Sequence, residues 1–124
     1  MKILLSINPK FVEKIFAGTK KFEYRKTIFK DTSVQSIVVY ATRPIGKVIG
    51  EFRIKSIIED NPSIIWKKTK QYSGVSREFY SSYFSGRNKG FAIEIGELTQ
   101  YAQPIELNDL NVSHAPQSFL YLPE

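Results

Sequence analysis

Short apolar and alternating runs, punctuated by Asn-Pro, Gly and charged clusters, organise this chain. Lys2 to Ile7 is an apolar strand that runs into Asn8 and Pro9, a good N-cap and first helical position. The pattern predicts a short helix over Lys10 to Ala17, with Phe11, Ile15 and Phe16 on one stripe and Gly18 suited to the left-handed position past its end. Lys21 to Lys26 alternates as a second strand, Phe22 and Tyr24 facing the core and Lys21, Glu23 and Arg25 facing the other way. Val34 to Thr42 and Lys47 to Lys55 read as two further strands joined across Arg43, Pro44, Ile45 and Gly46.

Asn61 and Pro62 then offer the cap and first turn of a helix through Ile64, Ile65, Trp66 and Lys68. Ser76 caps another, in which Phe79 and Tyr83, and Tyr80 and Phe84, pair one turn apart before Gly86 stops it. Phe91 to Glu97 is a fifth strand, extending toward Tyr101. The tail from Pro104 to Glu124 reads as ordered coil whose Leu107, Leu110, Phe119 and Leu120 pack back onto the body. Five to six short strands with two to three short helices at the rim predict an α+β, mainly β fold, a closed or nearly closed small barrel.

Composition narrows the function classes. A chain of 124 residues suits a single domain, residues 1–124, and no apolar run approaches the roughly 20 residues that cross a bilayer. The opening MKILLSI lacks a cleavage site and reads as a strand, so the expected compartment is the cytoplasm and no membrane partner is expected. With no Cys and a lone His114, neither a zinc site nor a Ser-His-Asp triad can be assembled; no metal and no cofactor are expected. The glycines match no phosphate-loop or dinucleotide spacing. A formal charge of +6 leans toward polyanionic partners.

The chemistry concentrates at Gly18 to Arg25, which spell G-x-K-x-x-E-x-R. Gly18 lets the backbone turn and bring the Lys20 ammonium to the mouth of the barrel. Glu23 and Arg25 share a strand face, and the planar Arg fork suits a phosphate or a base edge. Spacing alone equally allows a surface ion pair worth about 0 to 1 kcal/mol beside a solvated lysine.

This motif, directly after the first helix, resembles the signature of the ASCH family. SINPKFVEKIFAG before it, YATRP and VIGEF in the middle, YFSGRNKGFAIEIG later and PQSFLYL near the end all look like family blocks, so the resemblance covers essentially the whole chain. It implies a small PUA-like β-barrel and a cleft beside it for RNA or a ribonucleoside, with a link to the regulation of transcription or translation. Lys20, Glu23 and Arg25 would line that cleft. Ser6 and Lys10 flank them at the strand-to-helix junction. Tyr40, Thr42 and Arg43 end the third strand, where a tyrosine can stack on a base or fill the core. Tyr83 and Arg87 border the last helix, and Gln117 and Ser118 belong to the closing block. One branch of the family acts as an amidohydrolase on acylated cytidine nucleosides through the motif Lys, a Thr and a Glu, and another member is described as a ribonuclease. Lys20 and Glu23 would then be catalytic, although Glu23 stands where that branch has its Thr. The reading preferred here is the binding module, its partner RNA or a ribonucleoside.

Overall fold

In the computed structural model, which describes residues 1–123, strand β1 (Lys2–Ile7) leads into helix α1 (Pro9–Ala17). The Asn8 side chain accepts the Lys10 N–H at 3.0 Å and Pro9 fills the first turn, so the helix begins where its orphan donors are met. Strands β2 (Phe22–Arg25), β3 (Ser36–Ala41) and β4 (Lys47–Asp60) follow. Helices α2 (Pro62–Thr69) and α3 (Arg77–Tyr83) then interrupt the sheet before β5 (Gly90–Ile105) and β6 (Phe119–Leu122). Single 3₁₀ turns lie at Lys70–Tyr72 and Leu107–Leu110. No helix is long and apolar enough to cross a membrane.

The strands form one mixed sheet in the order β2-β5-β4-β3-β1-β6, antiparallel throughout except for the parallel pair β1 and β3. The sheet is open, which corrects the expectation of a barrel. The edge strands β2 and β6 have four residues each and share no backbone ladder. Side chains span the seam between them instead. Arg25 Nη2 donates to the Ser118 carbonyl at 3.1 Å, and the Phe29 ring meets Phe119 edge-on at 6.1 Å. Register shifts along the β4–β5 pair are of the kind that bend a sheet.

Two further expectations change. The tail is not mostly coil, because Phe119–Leu122 pairs antiparallel with β1; Leu120 is exposed rather than packed inward. The central hairpin is longer than the alternating runs, since Ile57 pairs with Ile93 and Asp60 with Gly90.

Both faces of the sheet are covered, which is why β3 is buried along its whole length. One face packs Ile3, Leu5, Ile37, Val39 and Phe52 against Val12 and Ile15 of α1. The other holds Leu4, Val38, Tyr40, Val48 and Leu122. A third cluster, Tyr24, Ile65, Tyr80, Phe84 and Ala92, fastens α2 and α3 to β2 and β5.

Candidate functional site

The C-terminal end of α1 sets the site. Gly18, at φ 84°, takes the left-handed cap, and the N–H groups of Thr19 and Lys20 both turn back onto the Lys14 carbonyl at 3.1 Å. This winding drives the Lys20 side chain inward, where it is 1% exposed. Its Nζ donates to the Ser73 carbonyl at 2.7 Å and lies 4.8 Å from the Tyr24 ring centre and 5.3 Å from that of Phe11. Lys14 Nζ donates to the next carbonyl, Gly74, at 3.2 Å. Two ammonium groups thus grip consecutive peptide units of the strap after α2. Burial lowers the Lys20 pKa to about 8, the nearby Lys14 charge adds to the fall, and Glu23 opposes it.

Glu23, on the strand face opposite Tyr24 as the alternation suggested, is 6% exposed. Its register partner is Ile93, a residue of the main core, so the side chain points over that core while Tyr24, opposite Ala92, points at α2 and α3. Arg25 Nη1 approaches Glu23 Oε2 at 3.3 Å, and the other arm of its fork holds Ser118. Ser6 Oγ donates to the Pro116 carbonyl at 2.7 Å. The closing segment is therefore tied down at two points, with Gln117 between them and exposed.

These groups surround a cavity of about 150 Å³ between α1, α3 and the ends of β1 and β2. Phe11, Phe79 and Tyr83 form its aromatic wall. Phe79 meets Phe11 edge-on at 5.1 Å and lies nearly parallel to Tyr83 at 6.1 Å, yet it remains 44% exposed at the mouth. Burial raises the Tyr83 and Tyr24 hydroxyl pKa values, that of Tyr24 to about 12, so both are neutral donors at ordinary pH. Tyr24 is fixed at the floor through Thr69 Oγ1 at 2.7 Å.

The structure brings Ser6, Lys20, Glu23, Arg25 and Tyr83 together around this cavity. Lys10 does not line this cavity; it borders a different groove, with its Nζ 5.6 Å from the Phe11 ring centre. Tyr40 lies in the second core cluster, because an inward position on a strand covered on both faces leaves its ring no route to the rim. Thr42 and Arg43 sit in the β3–β4 turn, where the Thr42 carbonyl accepts from Ile45 and Gly46. Arg87, past the end of α3, is exposed. Phe11, Phe79 and Ser73 escaped the sequence reading. The two phenylalanines show only helical spacing, and a carbonyl acceptor leaves no mark in a sequence.

An open mixed sheet, a helical cap and a buried Lys-Glu pair with Arg25 beside it define the class of this protein. Residues 5–103 match the ASCH domain, and the chain belongs to that family. Among curated proteins it is 32% identical over 124 residues to the large ribosomal subunit protein uL22 of Ureaplasma parvum, covering 97% of this chain but 39% of that protein's length. It is 30% identical over 123 residues to an ASCH domain-containing ribonuclease of Zymomonas mobilis, covering 96% of this chain and 82% of that one. The crystal structure of ASCH from Zymomonas mobilis superposes with a TM-score of 0.90 at 27% identity, over 99% of this chain and 88% of the other.

Proposed function

We propose that this chain engages RNA or a ribonucleoside by seating one base in the cavity between α1 and α3. The size and lining of that cavity carry the reading. A volume of about 150 Å³ is enough for a single six-membered ring, and this cavity pairs aromatic walls with a buried carboxylate and a buried ammonium. Sugar and phosphate must then remain outside, near the Arg25 fork. Glu23 accepts from an amino or imino group of the base, and Phe79 supplies a stacking face at the mouth. Through such binding the domain would act in the regulation of transcription or translation.

Hydrolysis is the second reading. An amine with a pKa of about 8 is partly unprotonated near neutral pH, and Lys20 lies beside a carboxylate able to share a proton. The ribonuclease name of the Zymomonas relative supports the same direction.

One assay separates them: incubation with labelled single-stranded RNA and with plain and acylated ribonucleosides, scoring both binding and products. Phe79→Ala is expected to weaken base binding roughly five- to 150-fold, the equivalent of about 1 to 3 kcal/mol of stacking. Product formation lost on Glu23→Gln establishes hydrolysis. Neither binding nor products would sink both readings.

A further inference from the structure

Tyr80 walls the base cavity on one side and a second, larger concavity on the other. This groove, about 390 Å³ between α2 and α3, falls within the range of small-molecule sites. Three cations, Lys67, Lys70 and Arg77, line it together with the indole of Trp66. All three are exposed, and among the described residues none of them forms an ion pair.

Positive charge gathers here, as it also does around the motif in residues 10–30. Residues 62–83 hold four cations, Lys67, Lys68, Lys70 and Arg77, against a single acid, Glu78, so this one segment supplies half of the formal +6. Four other cations are tempered by acids: Lys2 meets Glu51, Lys47 meets Glu106, Lys55 meets Glu94 and Lys89 meets Glu59. Lys67 and Lys68 in the last turn of α2 do favour the helix dipole. That role leaves Arg77 unexplained, because it opens α3, where the dipole disfavours a cation. Trp66 is held against Tyr80 with ring centres 4.6 Å apart and is half-buried, so a face of the indole remains at the groove.

We propose that the α2–α3 groove is a second contact site for the same RNA, binding backbone phosphates through Lys67, Lys70 and Arg77 while a neighbouring base lies against Trp66. The inference rests on the RNA reading above. It extends that reading from one base to a strand that passes around Tyr80, the shared wall.

Trp66 is the only tryptophan of the chain, so all tryptophan emission arises at this groove. Wild-type protein, a Lys67→Gln/Lys70→Gln/Arg77→Gln variant and a control variant, Lys30→Gln/Lys47→Gln/Arg53→Gln, are titrated with a labelled single-stranded oligoribonucleotide over a range of salt. The control loses equal charge outside the groove. The expected result is quenching of Trp66 by RNA in wild type and control. In the groove variant the quenching is lost, and the slope of log affinity against log salt flattens by about 2, at roughly 0.7 per phosphate contact. Binding of plain ribonucleosides, which carry no phosphate, stays unchanged. RNA binding with the same slope and affinity in the groove variant would refute the groove and leave the base cavity standing. So would equal flattening in the control. Failure of the wild type to bind RNA at all would remove both.

Discussion

Raising the pH from about 7 to about 9.5 is expected to stabilise this protein, and Lys20 is the reason. The amine falls from its ordinary value of 10.5 to about 8 on folding. At about 1.4 kcal/mol per decade, holding it charged costs about 3 kcal/mol below pH 8. The sign follows from proton counts: between those two values the unfolded chain binds a proton that the folded chain has released, so stability rises with pH. Integrated from about pH 7 to about pH 9.5, the gain is about 2 kcal/mol. The buried tyrosines act oppositely. Tyr24 is raised to about 12, so the stability it confers is complete below the ordinary value of 10 and is lost above it. The measurement is therefore confined to below about pH 10. Urea unfolding followed by Trp66 emission gives the stability at each pH for wild type and for Lys20→Met, which keeps an unbranched stem and removes the charge. The variant also strips the Ser73 carbonyl of its donor, so the difference between pH values, not the absolute stability, is the readout. A rise in wild type that is absent from Lys20→Met is expected. Parallel profiles, or no rise in either, would refute the placement of a charged amine in this interior.

Gly74 and Gly18 offer a steric test of the same site. Both have positive φ, but a Cβ on Gly18 meets nothing within 4 Å, whereas one on Gly74 lies 2.5 Å from Lys20 Cβ and Cγ. Gly18→Ala is expected to cost about 1 to 2 kcal/mol of conformational strain, and Gly74→Ala about 1 to 3 kcal/mol more from overpacking; equal costs in chemical denaturation would contradict this. Arg25→Lys keeps the charge but not the fork that holds Glu23 and Ser118 together. Hydrogen exchange of the Phe119–Leu122 amides is expected to quicken roughly tenfold, the loss of one charge-assisted hydrogen bond, while β3 stays protected; unchanged exchange in β6 would show that the seam does not depend on this residue.

Local signals were readable where one short segment contains the whole cause. Asn8-Pro9 and Asn61-Pro62 start their helices as their chemistry demands, and Gly18 stops α1. Alternation failed where the partner strand is remote. The end of β4 carries adjacent Ile57 and Ile58 and a polar close, which no single face explains, yet it extends to Asp60 because β5 lies alongside. Phe119–Leu122, between Pro116 and Pro123, looks like coil until β1 is placed beside it. At the site, the motif located Lys20, Glu23 and Arg25 but not their depth. Lys20 is drawn inward by a carbonyl more than fifty residues away, and Glu23 is covered because both faces of β2 are occupied. Tyr40 shows the converse: a tyrosine at the end of an apolar strand does not reveal whether its ring meets solvent or a second layer.

The position of β1 between β3 and β6 also bears on how the chain emerges from the ribosome. The strand β1 and its inner partner β3 lie within the first third of the domain, but the partner on its outer side is Phe119–Leu122, made more than a hundred residues after β1. Until that segment emerges, β1 has one ladder satisfied and one open, with Leu4 waiting for the Leu122 that will cover it. A nascent chain arrested before residue 119 therefore offers an unpaired edge to any other extended strand nearby. Emergence of Phe119–Leu122, rather than formation of the central hairpin, is the event that moves this open edge from the six-residue β1 to the four-residue β6.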